Sequence, residues 1–141
     1  MNALELNPTR EDIERLQASL SALPQMELMT RHYWADGMYC RELFRPAGTT
    51  IVGKVHKREH FYIVASGIVT VVGDGKRETI EGPKVLVSQP GTKRAVFAHT
   101  DATCITVHRT SETDLAAIEH ELVEEDATAC FGPGNTPKAL P

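Results

Sequence analysis

Apolar residues change their period twice along this chain. Ile13, Leu16, Leu20 and Leu23 recur every three or four residues, with Glu11, Asp12, Glu14 and Arg15 off that stripe, the pattern of an amphipathic helix. Asn7-Pro8-Thr9 offers a capping side chain and a proline for the first turn, and Pro24 a stop. The stripe predicts a helix packed on the domain, with dimer formation as its sharper use. Residues 26–35 (MELMTRHYWA) read as an extended arm or an irregular strand, closed by the Asp36-Gly37 turn signal.

From there the period shortens. Short strands are predicted over 38–45, 49–56, 60–65, 68–72, 77–81, 84–88, 93–99 and 103–109. Between them stand Pro46-Ala47-Gly48, the charged turn Lys57-Arg58-Glu59, Ser66-Gly67, Gly73-Asp74-Gly75, Gly82-Pro83 and Pro90-Gly91. Strands at such regular spacing, punctuated by Gly and Pro, predict an all-β antiparallel sandwich or barrel. Strands 60–65 and 68–72 are apolar on both faces, so their outer faces require a cover, either the N-terminal helix or a second subunit. A homodimer is expected on that ground, with Tyr33 and Trp34 as core or dimer contacts.

Helical spacing returns with Leu115, Ile118, Leu122 and Val123, capped by Thr110 or Ser111 and ending in a solvated acidic run, Glu124-Glu125-Asp126. The chain thus divides into a helix and arm (1–25), a barrel (26–110), a second helix (111–126) and an irregular tail (127–141).

Charge and composition remove several function classes. A net charge of −4 over 141 residues argues against a nucleic-acid binder, which needs a basic face. No apolar run approaches the ~20 residues of a membrane helix, and the N-terminus lacks a basic, then apolar, signal pattern. Cys40, Cys104 and Cys130 are odd in number and form no CxxC, which suits a reducing cytoplasm.

Candidate chemistry gathers between Gly48 and Gly67. Lys54 and His56 share one face of a strand, and His60 opens the next strand with Tyr62 on its face. Alternation sends Arg94 inward and Lys93 outward. Lys54, His56, His60 and Arg94, with Tyr62 as a wall, would make a cationic cavity suited to phosphate or carboxylate. His56 and His60 could instead hold a metal with a third donor, His99 or His108. For His99 this needs a bulge, because alternation turns it away from Arg94.

These residues resemble the cupin superfamily, the small jelly-roll barrels of RmlC type. Gly48, His56, His60 and Gly67 match the spacing of its first motif, and Gly82, Gln89-Pro90-Gly91 and Arg94 roughly that of its second, with the proline one place late. Residues 38–109 carry the resemblance, and the PGTKR wording is similar to stand-alone cupins of phages and prophages. The resemblance implies an antiparallel jelly-roll barrel of about eight strands flanked by an N-terminal and a C-terminal helix. Metal-binding members place His, His, Glu and His where this chain has Lys54, His56, His60 and Arg94. Lysine and arginine offer no lone pair when protonated, so no cofactor is expected, with a divalent metal as the alternative. The function expected is binding of a small anion, phosphate- or carboxylate-bearing, with a nucleotide among the candidates. The alternative is an isomerase-like or hydrolase-like enzyme, with or without metal, using His56 and His60.

Overall fold

A computed structural model describes residues 8–23, 25–126 and 129–135. It is an antiparallel β-sandwich with a helix near each end. Helix α1 spans Arg10–Ser21. Its cap is the reciprocal kind: the Thr9 hydroxyl accepts from the Asp12 amide while the Asp12 carboxylate accepts from the Thr9 amide. Ile13 is fully buried with Val52, Val72 and Ala95, and Leu16 and Leu20 pack beside it. Leu23, expected on the same stripe, lies past the helix end and is exposed; Pro24 is outside the described residues.

The strands are β1 (Thr30–Ala35), β2 (Met38–Arg45), β3 (Thr50–Val52), β4 (His60–Ser66), β5 (Ile68–Gly73), β6 (Lys76–Glu81), β7 (Lys84–Ser88), β8 (Ala95–Ala98) and β9 (Ala102–Arg109). They form a five-stranded sheet, β1-β2-β9-β4-β7, facing a four-stranded sheet, β3-β8-β5-β6. The ambiguous arm resolves as β1, hairpinned to β2 through Asp36-Gly37, both at positive φ, as a tight two-residue turn requires. Val64, Val69, Ile80 and Ala98 form the centre of the core between the sheets, and α1 packs on the Val52, Val72 and Ala95 end of the smaller sheet's outer face, leaving Phe97 exposed.

Two glycines of the recognised pattern are needed for space. A Cβ on Gly67 would stand 2.4 Å from the Asp101 carbonyl, and one on Gly82 would stand 2.7 Å from that of Val64.

Three local expectations are corrected. Strand 49–56 stops at Val52, because the next residues leave the sheet and bond to the end of α2 (Leu115–Leu122): Lys57 N donates to Leu122 O, and Glu124 N to Val55 O. The cap of α2 is Asp114, whose carboxylate accepts from Ala117 N; Thr110 instead donates to Glu121. The acidic run is not all solvated, since Asp126 accepts from Lys93 at 2.8 Å and from Gln17 at 3.0 Å. Lys93 turns away from the barrel interior but is covered, 5% exposed against that carboxylate.

Candidate functional site

The inner face of the five-stranded sheet changes character along its length. Around Val64 and Cys104 it is apolar apart from Arg45, which stands opposite Ala102, and toward His108 the inward positions become polar. β2 contributes Tyr39, Arg41 and Arg45, with Tyr39 opposite His108 and Arg41 opposite Thr106 of β9. β4 contributes Tyr62, also opposite Thr106, and His60, opposite Ser88. Strand alternation therefore sets arginine, hydroxyl and imidazole side by side on one pleated surface.

Three imidazoles meet there. His56 arrives from the irregular segment after β3, held by a bridge to Val123 at the end of α2. Its ring lies 4.4 Å from that of His60 and 4.8 Å from that of His108, and His60 and His108 are 4.1 Å apart. His56 Nδ1 and His108 Nε2 share a hydrogen bond of 2.8 Å. His60 Nδ1 is 3.0 Å from the Arg58 carbonyl, so it carries the proton and leaves Nε2 with a lone pair. Burial is the main cause holding the pKa of all three below the ordinary histidine value. For His56 the secondary causes are Arg41, His60, His108 and Arg94. His108 is lowered to about 3 by burial, then by His60, Arg41 and Arg58. At neutral pH these are neutral bases.

Beside the triad lies a cavity of about 100 Å³, roofed by α2 and by residues 129–135. Arg41, Arg45, Thr106, His56 and His108 line its polar side, and Leu43, Ile118 and Leu122 its apolar side. Arg45 is only 7% exposed. One of its nitrogens reaches the Tyr62 hydroxyl at 3.5 Å, while Nε and Nη1 have no partner among the described residues, and neither do Thr106 Oγ1 and His108 Nδ1. Buried polar atoms are satisfied in the great majority of cases, so four orphans around one cavity mark a place shaped for something else.

The expected site residues are distributed unevenly over this geometry. His56 and Lys54 line the cavity, but the Lys54 ammonium is ion-paired with Glu119 of α2. Arg94 donates to Ser88 at 2.6 Å and sits 5.5 Å over the Tyr62 ring, away from the cavity lining. Tyr62 belongs to the core, its phenol pushed up to about 12 chiefly by burial. Of the two offered third donors, His108 joins the histidines, while His99 bonds Thr70 at 2.6 Å on the opposite sheet. Arg41, Arg45 and Thr106 were missed. Their signal was the alternation Tyr39-x-Arg41-x-Leu43-x-Arg45, which places both arginines on one face of β2.

The donor set suits a transition metal, because three neutral imidazoles are a common nitrogen set. The Arg58 carbonyl on His60 is the outer partner that such a ligand usually has. The three ligand atoms lie within 4.8 Å of one another. One ion with bonds of about 2.0–2.1 Å would have to draw them together and replace the His56–His108 bond. His56, His60 and His108 could thus hold a metal, which would supply Lewis acidity beside the arginines.

Neither a protein-family model nor a curated protein sequence matches the chain. Solved structures do. A cupin superfamily protein from Desulfitobacterium hafniense aligns with a TM-score of 0.52 at 11% identity, over 67% of this chain and 87% of that one. An RmlC-like cupin from Shewanella frigidimarina gives 0.53 at 15%, over 62% and 79%. Salicylate 1,2-dioxygenase from Pseudoaminobacter salicylatoxidans, solved as adducts with gentisate, gives 0.53 at 15%, over 69% of this chain but only 30% of the enzyme. The two facing antiparallel sheets, together with these likenesses, show an antiparallel jelly-roll fold like that of these cupin structures.

Proposed function

We propose that the protein binds a small anion, carboxylate- or phosphate-bearing, inside the barrel, with Arg45 and Arg41 as its charged anchors and Thr106 as a further hydrogen-bonding group. One observation carries this reading: Arg45 is buried at the wall of the cavity with Nε and Nη1 unpartnered among the described residues. Arginine does not deprotonate in proteins, and an uncompensated buried cation costs several kcal/mol. A planar anion accepts from two guanidinium nitrogens at once, which offsets that cost and fixes orientation. The apolar wall of Leu43, Ile118 and Leu122 suits a short hydrocarbon body. At about 100 Å³ the cavity favours a compact anion over a nucleotide, since drug-sized ligands occupy roughly 300 Å³ or more.

A second reading is favoured by the triad itself: a divalent transition metal on His56, His60 and His108, with the anion held alongside as a substrate. The gentisate of the dioxygenase is a small carboxylate, compatible with the same kind of occupant, although a shared fold carries no activity by itself.

Thermal denaturation against a panel of small carboxylates, inorganic phosphate and sulfate, each with and without Zn²⁺, Mn²⁺ or Fe²⁺, tests both readings. An anion at 100 times its Kd should stabilise by about 2.7 kcal/mol, a rise of roughly 10 °C in Tm. A shift with anions alone supports the first reading, and one needing metal and lost in His60→Ala supports the second. Metal without any anion response would overturn the first.

A further inference from the structure

The cavity carries more positive charge than a single carboxylate would balance. Arg41 and Arg45 both line it, and neither is ion-paired among the described residues. Glu119, the one carboxylate among the described lining residues, is taken by Lys54. The three histidines are neutral, so two guanidinium charges are left over. A monoanion would satisfy one and leave the other, and an unpaired cation out of water is costly.

The two charges also stand apart. Arg41, Leu43 and Arg45 alternate inward on β2. At about 3.4 Å per residue the two arginines leave the strand roughly 13 Å from one another, with Leu43 between them. Their side chains keep different company. Arg45 reaches the Tyr62 hydroxyl and the Cys104 thiol. Arg41 starts opposite Thr106, one inward position from His108. After burial, Arg41 is a cause lowering the pKa of His56, His60 and His108; Arg45 instead acts on the Tyr62 phenol, against the burial that raises it. Leu43, Ile118 and Leu122 line the space with apolar surface. The order along the cavity is therefore cation, hydrocarbon, cation.

We infer that the ligand is two-headed: an α,ω-dicarboxylate about the length of succinate or glutarate, with one carboxylate on Arg45 and the other on Arg41 beside the histidines. This inference rests on the anion site proposed above and adds its substrate class. Each guanidinium then receives its own planar partner, and the methylenes lie against Leu43. A cavity of about 100 Å³ limits the spacer to a few methylenes. Phosphate or sulfate would instead gather both charges on one head and leave the apolar strip without a partner.

Calorimetric titration of the full chain with butyrate, malonate, succinate, glutarate, adipate and inorganic phosphate, at neutral pH and fixed ionic strength, tests this. Succinate or glutarate should bind at least about tenfold tighter than butyrate, which lacks the second charge-assisted hydrogen bond. The same ligand should also exceed malonate, adipate and phosphate. Arg41→Met should bring the succinate-to-butyrate ratio to near one, and Arg45→Met should weaken both ligands. If Arg41→Met does not fold, the wild-type series decides alone. Butyrate equal to succinate, phosphate tighter than every dicarboxylate, or a folded Arg41→Met that keeps the ratio would overturn the two-headed ligand while the anion site stands. Binding of none of these anions would overturn both.

Discussion

Replacing Arg45 by methionine is expected to stabilise the ligand-free protein while removing its response to anions. The two effects share one cause. Arg45 is buried beneath the cavity with two nitrogens unpartnered among the described residues, and its side-chain bonds are weak, one to the Tyr62 hydroxyl at 3.5 Å and one to the Cys104 thiol. In the empty barrel it is a desolvated cation with little return. Methionine of similar length fills the same space without charge, and exchanges of buried charge for apolar side chains often gain about 1–4 kcal/mol. In the liganded barrel the sign reverses. Each charge-assisted hydrogen bond contributes about 1.5–3 kcal/mol, so losing two weakens an anion by roughly 100-fold or more. Denaturant titration of both proteins, with and without the anion that gives the largest thermal shift, reads both changes. An Arg45→Met protein that is less stable when empty and still binds the anion would show that the guanidinium serves packing alone.

Acid is expected to unfold the protein through its histidines before its carboxylates matter. In the folded state His56 and His108 have pKa values below the ordinary 6.5, His108 at about 3, with burial the largest cause. The unfolded chain therefore takes up protons that the folded chain refuses, and stability falls as pH drops below about 6.5. Between pH 6.5 and 4.5 His108 alone should remove about 2–3 kcal/mol, at 1.36 kcal/mol per pH unit. Asp12 and Glu121 have carboxyl pKa values lowered from 3.8 and 4.5, Asp12 first by the Thr9 amide and Glu121 first by the Thr110 hydroxyl. Their contribution is lost only below that window. Arg41, Arg58 and His60 face His108, so a proton there meets cations on several sides. Urea titrations at half-unit intervals should show the decline, and His108→Gln should flatten it. A flat profile in the wild type would mean that water or an anion already solvates the triad.

The fold was legible because its signals are local. Gly67 and Gly82 stand where a Cβ would strike backbone, and the Asp36-Gly37 turn closes a hairpin. Inward alternation gave His60 and Tyr62 correctly, as His60, Tyr62 and Val64 of β4 are buried while Phe61 between them is exposed. The site was legible only in part. Lys54 and His56 were placed by strand alternation in a segment that is not a strand, because α2 takes over its hydrogen bonds. That competition between distant parts of the chain leaves no local mark. Lys54 was read as a free cation, whereas Glu119, 65 residues away, pairs with it. Arg41 and Arg45 were hidden for another reason. β2 also carries Cys40 and Phe44 on its other face, so its period does not say which face is inside, and arginine is a rare choice for an interior. His108 was named as a third donor without its direction being settled; β9, with its alternating burial, turns it inward.

The most direct measurement of the central claim is the Nε–Hε resonance of Arg45 in ¹⁵N-labelled protein, assigned by its loss in Arg45→Met. That proton has no acceptor among the described residues. Adding acetate, succinate or inorganic phosphate should move it downfield in a saturable manner, with Arg41 responding in the same titration and Arg94, held by Ser88, unmoved. A signal indifferent to every anion, in protein that remains folded, would contradict an anion site in this barrel.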